Sequence, residues 1–242
     1  MGKVTIHPAT TVKPITLIGE MAGICWGANT SDASKNRNRG WDCIKSRHGR
    51  TWEFPEVYMV LDHYSARVIR EVYTHIGGAP TRLQASTRYI NYEEFPYVTP
   101  RSVLKNSEAQ EVYDSVMENI SVEMGHLEEC GIPREDIAMM LPLAMESKVV
   151  IKMNLRTLLS MAQQRLCARA YWEFRQLMID IKMALCNYSP EWEDLIVESG
   201  LYEPKCEVEN GVCHERYSCG RCPTVEQLKA RACDCSCENK DK

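Results

Sequence analysis

Arg82, Gln84, Ser86 and Arg88 fall on every second position of the stretch 81–89, TRLQASTRY. In extended backbone, alternation sets these four side chains on one side and Leu83, Ala85, Thr87 and Tyr89 on a packing side. Two guanidinium groups, a carboxamide and a hydroxyl then form a donor-rich face that suits phosphate oxygens or the carbonyls of a planar heterocycle. The same alternation also describes a solvent-facing edge strand. Upstream, Gly77-Gly78 permits close backbone approach to a ligand or simply makes a turn, and His75 read alone is a structural histidine.

A second set lies downstream. Three helical turns take about 11 residues, so on one continuous helix Asn154 and Arg165 return to the same face, and Arg169 joins them one turn later. An amide and two cations on an otherwise apolar helix can hold an anion or a heterocycle; alternatively Arg169 pairs with Glu173 in a common helical ion pair. Nucleophilic catalysis gains no support from the residues. Cys167 and Cys186 have no diagnostic neighbours, and Ser86 lacks the flanking glycines of a nucleophile elbow.

Several elements must position these groups. Val12–Ile18 reads as a short β-like piece, and 27–40 as a loop or short helix. Apolar residues recur at helical spacing from Glu56 to Tyr73, with the first few residues open to strand. Ser107–Glu129 is a helix with Val112, Val116, Ile120, Met124 and Leu127 along one face. Pro133 then opens the next helix. Val149–Gln163 and Leu166–Leu185 follow as long helical patterns. Past Pro204 the periodicity ends, which divides the chain into a 1–203 core and a 204–242 cysteine-rich tail without internal repeats.

The chain has 242 residues, 44% hydrophobic content and a formal net charge of −4. That length allows a sizeable core with an appendage, and the charge argues against a surface that coats nucleic-acid polymers. No apolar run approaches a membrane span, and no signal-peptide core follows Met1, so a cytoplasmic protein is expected. Seven of the 12 cysteines crowd the C-terminus. In a reducing compartment such crowding suggests metal binding, with Cys206, Cys213, Cys219 and Cys222 as ligands of one tetrahedral Zn; a flexible, reduced tail is the alternative. No catalytic role is assigned to the tail.

Taken together, the blocks resemble the flavin-dependent thymidylate synthases. That family carries an Arg-Gln-x-x-Arg-His-Arg segment followed by Glu-x-Ser-x-Arg-Tyr; here Arg70-Glu71-Val72-Tyr73-Thr74-His75-Ile76 and Gln84-Ala85-Ser86-Thr87-Arg88-Tyr89 stand in those places. Leu141-Pro142, then Asn154-Leu155-Arg156-Thr157-Leu158, then Arg165, Arg169 and Glu173 match a second run, and the order agrees over roughly 10–195. The departures are Thr74 and Ile76 in place of arginines, Gln84 in place of a glutamate, and Ala138 where a phosphate-binding arginine precedes Leu-Pro. The resemblance implies an α+β fold, thymidylate synthase-like, with a long-helix core and a small antiparallel sheet.

It also implies the chemistry: methylation of dUMP to dTMP, with FAD as cofactor and methylenetetrahydrofolate and NADPH as co-substrates, in a homotetramer whose sites draw on several subunits. Under it, Arg165 and Ser86 serve catalysis. Arg70, Glu71, Gln84, Ser86, Arg88 and Arg165 bind substrate, and His75, Asn154, Arg156, Ser160 and Arg169 bind the flavin. The changed arginines leave two alternatives open, a relative that modifies a pyrimidine nucleotide differently, for example by hydroxymethylation, and a nucleotide-binding relative without turnover.

Overall fold

The computed structural model describes residues 2–87 and 94–230. In chain order its elements are β1 (Lys3–Ile6), α1 (Pro14–Cys25), α2 (Ala33–Lys45), β2 (Glu56–Ser65), α3 (Ala66–Val72), β3 (Thr81–Gln84), α4 (Ser107–Glu129), α5 (Arg134–Ile137), β4 (Glu146–Asn154), α6 (Leu155–Arg165), α7 (Trp172–Tyr188), α8 (Pro190–Glu198) and α9 (Lys205–Val208). Short 3-10 turns at Gly49–Glu53 and Ala138–Met140 complete the order. This is the expected α+β architecture, α-rich with one small antiparallel sheet. The described residues form two compact units, one within 2–10 and 56–153, the other within 11–55 and 154–230.

The first unit carries the four-stranded sheet in the order β1-β2-β4-β3. Val57, Met59 and Leu61 of β2 and Val149, Ile151 and Met153 of β4 are buried, an alternation of period two. The helix expected at 56–73 is therefore a strand as far as Ser65. Val57, Val60, Leu61 and Tyr64 follow helical spacing, but Val57, Met59 and Leu61 alternate as a strand requires, and pairing of β2 with β1 decides between them. Ser65 then caps α3 by accepting from the Val68 amide at 3.2 Å. The helix expected from Val149 likewise starts only at Leu155, because the β-branched run Val149-Val150-Ile151 favours strand and Asn154 is the cap.

Strand β3 is an edge strand, as its alternation allowed, but its sides are reversed. Leu83 lies opposite Val150, and Arg82 and Gln84 lie opposite the buried Ile151 and Val149. Opposed residues share a face, so Leu83, on the expected packing side, is 71% exposed. Helix α4 has the bounds expected of it. Its Met117 and Met124 pack with Phe95, Ile137 and Met145 in a separate small core.

The second unit is helical. Val12–Ile18, expected to be β-like, opens α1 instead, with Pro14 at the first turn where its missing amide costs nothing. Asp32 caps α2 through the amides of Ser34 and Lys35, so 27–40 holds the start of a 13-residue helix. Helices α1 and α2 meet at glycines: a Cβ on Gly19 would stand 1.8 Å from the Asn36 carbonyl oxygen, and one on Gly40 would stand 2.0 Å from that of Ile15. Phe174, Leu177, Met178, Ile181 and Leu185 of α7 and Trp192 of α8 are fully buried. The Trp192 indole donates to the Thr11 carbonyl at 2.7 Å. Among the described residues no helix is long and apolar enough to cross a membrane.

Candidate functional site

Each unit holds part of the expected residue set. In the first unit, Arg70 and Glu71 end α3, and the chain turns through Ile76–Ala79, where Gly78 and Ala79 have φ of 72° and 49°. Arg82 closes this turn: its guanidinium donates to the Tyr73 carbonyl at 2.8 Å and lies 4.7 Å from the Tyr73 ring centre. Between them His75 is half-buried, its amide donating to the Val72 carbonyl. Gln84 donates to the Ser147 hydroxyl at 3.1 Å, and Ser86 is half-buried just beyond the strand. Arg88 lies outside the described residues.

In the second unit the groups lie along α6 and the turn that follows. Asn154 accepts from the Thr157 amide at 2.9 Å, so its carboxamide oxygen is the helix cap. Arg156 is exposed and ion-paired with Glu53 at 2.5 Å. The Ser160 hydroxyl accepts from Gln164 at 3.3 Å. Helix α6 ends at Arg165, so Arg169 does not share its face as a continuous helix would require. It lies in the 166–171 connection, which the Ala170 amide and the Arg175 guanidinium close by donating to the carbonyls of Cys167 and Ala168. The Arg165 guanidinium lies over the buried Phe174 ring, 4.7 Å from its centre. Arg169 reaches Glu215 at 3.5 Å and lies over Tyr217 at 5.7 Å.

A cavity of about 340 Å³ in this unit is lined by Arg165 and Arg169 together with residues from beyond Pro204. Lys205, Glu209, His214 and Glu215 are among them, a contribution that the sequence reading did not foresee. The available signal was Cys167, a lone thiol between the two arginines in a chain whose other thiols crowd the tail. The thiols of Cys206, Cys222, Cys213 and Cys167 do lie near one another. Burial, a hydrogen bond with Cys222, and the neighbouring Cys213 and Cys167 push the Cys206 thiol up to about 11.

Cys219, expected in the metal set, is exposed, although it lines the same cavity as Cys167, Cys206 and Cys213. Among the described residues no group of three or more His, Cys, Asp or Glu side chains is arranged to hold a metal ion. The Cys206 shift from 9.0 to about 11 sets a chemical expectation: at pH 8 this thiol holds about 100-fold less thiolate than an unperturbed one. Iodoacetamide mass mapping of the native protein should therefore label Cys219 well before Cys206, and equal rates would contradict the shared burial of the tail thiols.

The Trp52 indole Nε1, on the turn that supplies Glu53, is buried and has no acceptor among the described residues. A buried donor left unmatched costs stability unless a ligand or water takes it.

Residues 9–191 match the family model described as thymidylate synthase complementing protein, Thy1. The chain is 34% identical over 156 residues to the flavin-dependent thymidylate synthase of Nitratidesulfovibrio vulgaris, covering 60% of either chain. It is 31% identical over 148 residues to that of Geobacter sulfurreducens, again 60% of each. The matched region thus spans about 60% of the length of these relatives. In fold it resembles a UMP/dUMP methylase PolB from Streptomyces cacaoi solved with 5-Br dUMP (TM-score 0.69, 16% identity, 84% of this chain and 98% of that one). It also resembles thymidylate synthase X from Helicobacter pylori solved with FAD and dUMP (TM-score 0.62, 17% identity, 81% and 100%).

Proposed function

Because this chain belongs to the thymidylate synthase complementing protein family, we propose that it is a flavin-dependent thymidylate synthase, methylating dUMP to dTMP with FAD, methylenetetrahydrofolate and NADPH. The observation that carries the reading is Arg165, fixed on the buried Phe174 ring at the wall of a cavity of ligand size. A guanidinium so held is directed toward a pyrimidine carbonyl or phosphate without first losing side-chain freedom.

Within this reading Arg165 stabilises negative charge that develops on the uracil ring, and Ser86, Arg88, Gln84, Glu71 and Arg70 hold the nucleotide. The donors present suit a flavin. Exposed Arg156, the Ser160 hydroxyl, Arg169 and His75 offer hydrogen bonds to its ring and diphosphate, Asn154 holds the start of α6, and the orphaned Trp52 N–H would gain an acceptor. The flavin would supply the hydride, and the protein orients and shields the reacting groups. The family's arrangement makes a cytoplasmic homotetramer the assembly proposed.

A second reading rests on Thr74, Ile76 and Ala138, which stand where family arginines are expected. With fewer cations the site would take another pyrimidine nucleotide, UMP among them, or hydroxymethylate its substrate. Visible spectra of the full-length protein, before and after adding FAD and removing excess, test the cofactor. Retained flavin, with methyl transfer to dUMP in preference to UMP and dCMP, is the expected result. A colourless protein that takes up no FAD would overturn the reading; hydroxymethylated product would favour the second one.

A further inference from the structure

The described part of the tail, 204–230, and the residues just before it are built into the second unit. Tyr202 is fully buried and donates to the Met178 carbonyl at 2.9 Å, and Lys182 pairs with Glu203 at 3.0 Å. The Arg47 guanidinium donates to the Val208 carbonyl at 2.7 Å, Arg221 pairs with Glu207, and the Cys213 amide donates to the Pro223 carbonyl at 2.9 Å. The thiols of Cys206, Cys213 and Cys222 gather beside Cys167 in the turn between Arg165 and Arg169. Residues 205–219 are thereby held as one side of the cavity whose other side is the end of α6 and that turn.

The charges inside are arranged as replaceable pairs. Arg169 is held by Glu215 at 3.5 Å, with the two side chains 42% and 65% exposed, and Lys205 is held by Glu209 at 3.8 Å with comparable exposure. Exposed pairs of this kind are weak, since water screens them. A phosphate carries more charge than one carboxylate and accepts forked hydrogen bonds from a guanidinium, so it displaces such a partner. Among the described residues that line the cavity, Arg165, Arg169 and Lys205 stand with two carboxylates, Glu209 and Glu215, and with His214. The Arg169 guanidinium also lies 5.7 Å from the ring centre of the exposed Tyr217, a contact separate from its carboxylate partner.

We propose that the cysteine-rich segment 205–219 is a wall of the phosphate-binding pocket, and that Glu215 competes with the phosphate of a bound ligand for Arg169. The proposal rests on the reading of Arg165 as a nucleotide-binding residue and assigns the tail a part in the same site. Lys205 is a further positive contact for the phosphate. The anion has two possible sources, a nucleoside monophosphate or the flavin diphosphate, and the chemistry recognised is the same for both.

The test is calorimetry on the full-length protein, its Glu215→Gln and Lys205→Ala variants, with dUMP, deoxyuridine, FAD and inorganic pyrophosphate as probes. Glu215→Gln is expected to tighten the phosphorylated ligand about threefold, from loss of a weak competing pair. Lys205→Ala should weaken it about tenfold, from loss of a charge-assisted contact. Deoxyuridine should bind alike to all three proteins. A response confined to dUMP, or to FAD, supports the proposal and identifies the source of the phosphate. Unchanged affinities, or dUMP and deoxyuridine shifting together, overturn it. Should the unaltered protein bind neither dUMP nor FAD, the functional reading fails, while pyrophosphate still decides the wall: it binds more tightly to Glu215→Gln if the proposal holds and indifferently if it does not.

Discussion

Arg165→Ala should lower kcat/KM for dUMP methylation by roughly 100- to 1,000-fold, the range for removing one preorganised donor to developing charge. The reason is local. Arg165 is the last residue of α6, half-buried, and its guanidinium lies over the ring of Phe174, which is itself fully buried. Contact with the buried ring limits the freedom of the side chain, so part of its ordering cost is met before ligand arrives. Lysine keeps the charge but has neither the fork nor the stacking plane, and Arg165→Lys should recover only a small part of the loss. Steady-state kinetics with added guanidinium ion would check this, rescuing the alanine variant more than the lysine one. Near-normal kcat/KM in Arg165→Ala with an unchanged melting curve would exclude Arg165 from the chemistry.

Gly19→Ala is expected to destabilise the second unit by about 3 kcal/mol, at the upper end of overpacking costs. An alanine is ordinarily the better helix residue by about 1 kcal/mol, so a gain would be expected if only helix propensity mattered. The added methyl would meet the backbone of α2, 1.8 Å from the Asn36 oxygen and 2.5 Å from the Gly40 amide nitrogen. Neither atom belongs to a side chain that can swing away, so the two helices must separate. Separation would loosen Ile15, Ile18, Cys43 and Ile44, all buried here. The Arg39 guanidinium, which donates to the Gly19 carbonyl at 2.9 Å, would lose its register too. Denaturant unfolding should show a lower midpoint; an unchanged or higher one would mean that the helices do not approach this closely.

Family membership was legible because it rests on residue types in order. Gln84-x-Ser86-x-Arg88-Tyr89, Leu141-Pro142 and Asn154-x-Arg156 persist at family spacing whatever local structure they adopt. The bounds of helix α4 were legible as well, but only part of its expected apolar face is buried: Met124 packs in the small core with Ile120 and Leu127 against it, whereas Val112 and Val116 are exposed and Met117 takes their place. Local patterns failed where one segment carries two of them. Val57, Val60, Leu61 and Tyr64 recur at helical spacing while Val57, Met59 and Leu61 alternate as in a strand, and Val12–Ile18 looked extended because Thr and Ile favour strands when no partner is known.

By itself, then, the sequence determined the family, the α+β class and the residue types available for binding an anion, since these depend on composition and order along the chain. The tertiary structure alone decided the rest. Pairing with β1 made β2 a strand, the buried side of β4 set which face of β3 carries Arg82 and Gln84, and the end of α6 at Arg165 moved Arg169 into a turn. It also brought Lys205, His214 and Glu215 to the arginines across about 40 residues of chain. No periodicity encodes such a meeting, because it arises from side chains packing between segments distant in sequence, whose closure becomes favourable only once the intervening helices are in place.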